Sequence, residues 1–92
     1  MAQYTEESDN TIITLYKGKF VNGYFEDYGG EAWEITRNIG GNYMYRVGPF
    51  SEGESKNRKE IKYNLSISDI NQYIEGEKLD CPLKWDINAL GD

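Results

Sequence analysis

The side chains that could act on a substrate are carboxylates and aromatic rings. The chain has no histidine and a single cysteine, Cys81, so a thiol or hydroxyl nucleophile would lack an imidazole base. A lone cysteine excludes an internal disulfide framework, and Cys81 reads as a small buried apolar residue. Phosphate-cradling glycine loops, nucleophile elbows, paired zinc cysteines and calcium loops are all missing from the sequence. Glu31 and Glu34 stand three apart, which on a strand places them on opposite faces and not across one cleft. Glu26 and Asp27 lie in a glycine-flanked stretch, where an acidic pair is expected to be a solvated turn. A glycosidase-like pair from different strands would need two carboxylates about 5–9.5 Å apart in one pocket. These residues point to a non-enzymatic chain with no cofactor and no metal.

Binding is the other chemistry on offer. Eight Tyr, two Trp and three Phe are more rings than a small pair of hairpins strictly needs inside. Exposed Tyr and Trp can stack on sugars or grip a peptide. Tyr24, Phe25 and Tyr28 are the rings expected in a loop, and Trp85 lies near the C-terminal end. Two classes of function follow: a structural or protein-interaction module, and a small-ligand module for carbohydrate or peptide that uses these four rings. Exposure of Tyr24, Phe25, Tyr28 and Trp85 separates them, because interlocking hairpins also consume rings as core.

Ninety-two residues make one domain, since a chain this short buries only roughly 60–65% of its unfolded surface. Sixteen acids against ten bases give a net charge of −6. That charge repels phosphate backbones and anionic head groups, which argues against nucleic acid and against a membrane surface; its size is ordinary for a small soluble domain, and a protein is left as the expected partner. No stretch resembles a signal peptide or an apolar span, so a soluble, by default cytoplasmic, chain is expected. A homodimer through edge strands is open.

The elements that must position these residues repeat. Gly18-Lys19-Phe20-Val21-Asn22-Gly23 and Gly48-Pro49-Phe50-Ser51-Glu52-Gly53 share the pattern G-x-F-x-x-G at an offset of thirty. The same offset pairs Ile13 with Tyr43, Leu15 with Tyr45, Trp33 with Tyr63 and Ile35 with Leu65. The organisation expected is therefore a frayed leader over 1–10, a first hairpin over 11–37, a second over 42–65, and a helix with a capping segment over 66–90. Ile13 and Leu15 alternate onto one face, and a bulge at Gly18 would bring Phe20 to the same face. Trp33 and Ile35 face the core, with Ala32, Glu34 and Thr36 on the opposite side. Ile61, Tyr63 and Leu65 point inward, and residues 51–59 form an exposed loop. Ser66 caps a helix whose stripe is Ile67, Ile70, Tyr73 and Ile74 and which stops at Gly76. Leu83, Trp85 and Ile87 alternate as a short final strand.

Tyr16, Gly18, Phe20, Asn22 and Gly23 resemble the opening of a MORN repeat, Tyr-x-Gly-x-(Phe/Trp)-x-(Asn/Asp)-Gly. In the second copy Gly48, Phe50 and Gly53 fit, Tyr45 lies one place upstream of the tyrosine position, and Glu52 replaces the asparagine. The spacing of thirty exceeds the low twenties usual for the family. The resemblance implies consecutive antiparallel β-hairpins in a small, mainly β sheet, with glycines and rings interlocking between units. It also implies a scaffold or interaction module, such as one piece of a larger bacterial-type surface or regulatory protein. Two copies are few for an array, so the C-terminal helix and Trp85 would close it.

Overall fold

The computed structural model describes residues 2–8, 11–38, 41–55, 60–77 and 84–85. The protein is mainly β, built of antiparallel hairpins with one helix. β1 (Ala2–Ser8), β2 (Thr11–Gly18), β5 (Trp33–Arg37) and β6 (Tyr43–Val47) form an antiparallel sheet in that order, and β9 (Lys84–Trp85) runs parallel to the start of β2. Two smaller hairpins interrupt it. β3 (Phe20–Val21) and β4 (Tyr24–Phe25) form one, and β7 (Phe50–Ser51) and β8 (Glu54–Ser55) form the other. α1 (Ile67–Glu77) follows them.

The small hairpins carry the repeat. Asn22 and Gly23 turn with φ of 51° and 81°, and Glu52 and Gly53 turn with φ of 53° and 84°. Two successive positive φ values make the two-residue turn that matches strand twist. Asn and Gly supply it readily, whereas Glu52 holds a conformation costly for its type. The expected loops of 24–30 and 51–59 are thus partly strand, as far as 55, and residues 56–59 lie outside the described set. Two-residue strands are too short to show alternation in the sequence.

Register extends the repeat to the N-terminus. β5 pairs with β6 through Trp33↔Val47, Glu34↔Arg46, Ile35↔Tyr45 and Thr36↔Met44. β1 pairs with β2 through Gln3↔Lys17, Tyr4↔Tyr16, Thr5↔Leu15 and Glu6↔Thr14, each thirty residues earlier. Ala2↔Gly18 likewise matches the bond from the Gly48 N–H to the Ala32 carbonyl. β1 therefore stands where the closing strand of a preceding unit would stand, and 2–8 is a strand, not a frayed leader. Main-chain bonding and the Tyr4 ring hold it, neither of which its polar composition reveals. The match also locates the departure in copy two: Arg46, not Tyr45, occupies the Tyr16 position.

Folding the small hairpins back over the large sheet splits the core in two. Ile12, Leu15, Trp33, Ile35, Tyr43, Leu65 and Ile70 form one cluster, with Tyr45, Tyr73, Ile74 and Trp85 packed on it. Tyr16, Ala32 and Phe50 form the other, with Tyr4 and Phe25. The register slips between Glu6 and Glu7 opposite Ile13. Across that bulge Ile12, rather than Ile13, joins Leu15 in the core. Phe20 does not return to the face of Leu15 either, because Gly18 ends β2 and Phe20 begins a separate hairpin. Ala32 and Glu34, expected on an open face, are buried because those hairpins cover them.

Gly18 has another purpose. The Tyr16 ring lies along the strand over it, and a Cβ there would meet the Tyr16 hydroxyl, its Cζ at 2.7 Å and the Ala32 Cβ at 2.8 Å. At Gly48 a Cβ would come within 2.8 Å of the Gly29 carbonyl oxygen. Tyr16 stacks on Phe25 at 3.9 Å and meets Phe50 edge-on at 5.2 Å. Phe50 is fully buried, while its counterpart Phe20 is 38% exposed. Phe50 packs against the first unit's Tyr16 and Phe25, whereas the ring that reaches Phe20 from outside its own unit is Tyr4, at 5.1 Å.

Beyond residue 55 the copies diverge. Lys62 bridges to Tyr45, and the Leu65 N–H bonds to the Tyr43 carbonyl. Leu65 is buried, but Tyr63 is exposed and unlike Trp33, and Ile61 is only half-buried. Ser66 and Asp69 form a reciprocal cap: the Asp69 N–H donates to Ser66 Oγ at 3.1 Å and the Ser66 N–H to Asp69 Oδ2 at 3.0 Å, so both otherwise orphaned groups are satisfied. The Ser66 N–H bond to the carboxylate, with help from Lys62, holds the Asp69 carboxyl below its ordinary value. The helix docks through Ile70, Tyr73 and Ile74, while Ile67 is exposed. It runs through Gly76 to Glu77, which glycine tolerates in a helix at a cost of about 1 kcal/mol. The strand at Trp85 is present; Cys81, Leu83 and Ile87 lie outside the described residues.

Urea unfolding should show Gly18→Ala destabilised by about 1–3 kcal/mol through overpacking and Phe50→Ala by about 3–5 kcal/mol. Phe20→Ala should cost about 1 kcal/mol, being already part-solvated. Equal costs at the two phenylalanines would contradict the asymmetry.

Candidate functional site

A concavity lies on the outer face of the β3–β4 hairpin. It encloses about 890 Å³ and is lined by Lys19, Val21, Tyr24, Glu26, Tyr28 and Glu52, with Asn22, Asp27 and Gly29. Alternation explains the lining. Phe20 and Phe25 are opposite each other and turn inward, so Val21 and Tyr24, the next pair, turn outward.

Of the four rings singled out for binding, the structure brings two together. Tyr24 is 55% and Tyr28 79% exposed, and both line this groove. Phe25 is half-buried in the stack on Tyr16, and Trp85 packs edge-on against Tyr43 at 5.1 Å. Phe25 was expected in a loop beside its neighbours, but as a strand residue next to Tyr24 it faces the other way.

Glu26 and Asp27 form no solvated turn. Asp27 is 8% exposed; its Oδ2 accepts the Lys19 N–H and its Oδ1 the Gly29 N–H, both at 3.0 Å. The second bond is an Asx turn, whose Asp-x-Gly signature was present in the sequence. Glu26 Oε1 accepts the Glu52 N–H at 2.6 Å, and Oε2 accepts the Tyr28 hydroxyl at 2.8 Å. One carboxylate thus ties the second unit's turn to the first unit's loop, and its bond holds the Tyr28 phenol above its ordinary value. These acids act first as braces. The groove still presents three carboxylates against one ammonium.

Behind the hairpins a smaller space of about 170 Å³ lies between Tyr4, Glu6, Thr14, Phe25 and Glu34. Glu34, 3% exposed, accepts the Arg46 Nε–H at 2.6 Å and pairs with the same guanidinium. Desolvation outweighs that partner and, with Glu6 adding to it, raises the Glu34 carboxyl above its ordinary value. Thr14 and Thr36 share a hydroxyl bond of 2.8 Å beside it. Tyr16 donates to the Lys19 carbonyl at 2.9 Å. Burial, then the fields of Asp27, Glu34 and Glu26, push its phenol up to about 12.

Among the described residues no group of three or more Cys, Asp or Glu converges on a point that could hold a metal, and no helix is long and apolar enough to cross a membrane. Comparison with family models, with curated proteins and with solved structures returns no match.

Two pH effects follow. Arg46→Met leaves the Glu34 carboxylate buried without its counter-ion and should cost about 3 kcal/mol at neutral pH. Because a raised carboxyl pKa favours the folded state only while the group is protonated, the gap to wild type should shrink as pH falls toward 4. For Tyr16 the folded state prefers the neutral phenol, so stability from this group is complete below pH 10.0 and is lost as pH rises to about 12. Tyr16→Phe should remove that alkaline loss at the cost of one hydrogen bond, about 1 kcal/mol. Denaturant midpoints across pH check both.

Proposed function

We propose that the chain is a MORN-like, non-enzymatic protein-interaction module and that the outer face of its first small hairpin is the contact surface. The observation that carries this reading is the placement of Tyr24 and Tyr28, both largely exposed, on one open groove with Glu26 and Glu52. Rings kept in solvent where Phe25 and Phe50 show that the core has room for rings are available for contact. The acids there are engaged as acceptors of main-chain N–H groups, which suits a scaffold more than an acid–base pair. The MORN-like pattern of residues 16–23, and its looser copy at 45–53, supports the same reading.

The partner that fits is an extended protein segment bearing Lys or Arg. Three carboxylates against one ammonium, in a chain of charge −6, attract it, and the tyrosine faces accept a cation over the ring. A second reading, a carbohydrate ligand, is favoured by the exposed rings beside the Asn22 amide and acids in the same groove.

A Lys/Arg-containing peptide should bind in calorimetry at low salt and weaken as salt rises. Tyr24→Ala and Tyr28→Ala should each weaken it by about three- to thirtyfold. Binding of oligosaccharides in place of peptides, with the same tyrosine dependence, would select the second reading. Peptide binding unaffected by either tyrosine would overturn the site.

A further inference from the structure

We propose that the outer edge of β3 is a strand-addition site for an extended segment of a partner protein. The pattern it takes is an aromatic residue, then a side chain with an acceptor oxygen, then the residue that pairs with Phe20. The repeat carries this inference, independently of the groove. Among the described residues β3 has a strand neighbour on one side only, β4. The residues flanking a two-residue turn bond to each other, here Val21 and Tyr24, so the N–H and C=O of Phe20 point away from β4.

The second unit shows what such an edge does when filled. The Phe50 N–H donates to the Asp27 carbonyl at 2.7 Å, the Asp27 N–H to the Phe50 carbonyl at 3.1 Å, and the Gly53 N–H to the Phe25 carbonyl at 3.2 Å. The Phe25 ring lies 6.2 Å from Phe50, and the Glu26 carboxylate takes the Glu52 N–H. Asn22 and Gly23 hold the corresponding turn angles, and Phe20 pairs with Phe25 as Phe50 pairs with Ser55. An incoming strand that repeats Phe25-Glu26-Asp27 would therefore bond Phe20 twice, bond Gly23 through the carbonyl of its aromatic residue, and cap the Asn22 N–H through its acceptor side chain. Its ring would cover the exposed part of Phe20.

The occupant is a foreign strand, because a second copy offers no free Phe25-Glu26-Asp27 edge. In that copy the Phe25-Glu26-Asp27 edge already holds β7. The counterpart of Phe25 at the other end is Ser55, whose hydroxyl donates to the Val47 carbonyl at 2.6 Å. Two chains of −6 also repel each other. An amide acceptor such as Gln meets the Asn22 N–H without adding to that repulsion. β-Strand addition of this kind draws affinity from main-chain bonds and selectivity from alternate side chains.

The probe is an acetylated peptide reproducing residues 24–30 with Glu26→Gln, titrated into the whole protein and followed by amide NMR and hydrogen exchange. Expected are saturable binding, exchange of the Phe20 and Gly23 amides slowed by about tenfold or more, and a loss of about tenfold in affinity when the residue at the Asp27 position of the peptide is N-methylated. Phe20→Ala should weaken binding by a similar factor, whereas Tyr63→Ala, at an exposed ring outside this hairpin, should leave it within about threefold. Equal binding of the N-methylated peptide, or no protection of the Phe20 amide at saturation, would overturn the proposal while leaving the groove reading intact. So would concentration-dependent protection of Phe20 without peptide, which would place a second copy on the edge.

Discussion

The ring of Tyr16 joins everything that the chain would otherwise leave as separate ribbons. It rises from the large sheet, lies over Gly18, stacks on Phe25 from the first small hairpin and meets Phe50 from the second. Its hydroxyl reaches back to the Lys19 carbonyl, so the one polar atom of a buried ring is satisfied where the chain leaves the large sheet. Three elements share one side chain, and the glycine is the space in which it fits. Arg46 takes the corresponding place in the second unit and meets Glu34 across the sheet. An ion pair there replaces a pair of tyrosines, Tyr4 and Tyr16, in the same register.

The acids divide into those that brace and those that face solvent. Asp27 and Glu26 accept main-chain N–H groups at a junction where two units meet, so the negative charge of the groove is fixed by architecture. Glu34 sits deeper, and its pairing with Arg46 offsets part of a desolvation cost that the small hairpins impose by covering it. Tyr24 lies on the opposite side of the first small hairpin from Phe20 and Phe25. Outer-face chemistry can therefore vary without disturbing the stack within.

Much of this was legible in the chain. The two G-x-F-x-x-G phrases close in like turns, with matching angles at Asn22-Gly23 and Glu52-Gly53, and the helix begins where Ser66 and Asp69 signal it. Other features depend on contacts that no local pattern records. β1 is polar in composition, yet edge bonding to β2 is enough to order it. Glu34 alternates as a solvent-facing residue until a second layer folds over it. Phe25 and Tyr24 are neighbours with opposite fates, because a two-residue strand suffices to turn one in and the other out. Trp33 and Tyr63 match in sequence offset but not in space, since the second unit returns to the sheet through Lys62.

Ser55 has a consequence for assembly. A repeat whose two ends were fully complementary would add copies head to tail, and a heterologous contact that does not close on itself builds an unlimited fibre. Where the first unit offers a phenyl ring to whatever follows, the last offers a hydroxyl turned back on its own carbonyl. At the position where Phe25 presents a ring to Phe50, the second unit thus holds a small hydroxyl turned inward, and that margin lacks the aromatic foothold on which head-to-tail growth would build.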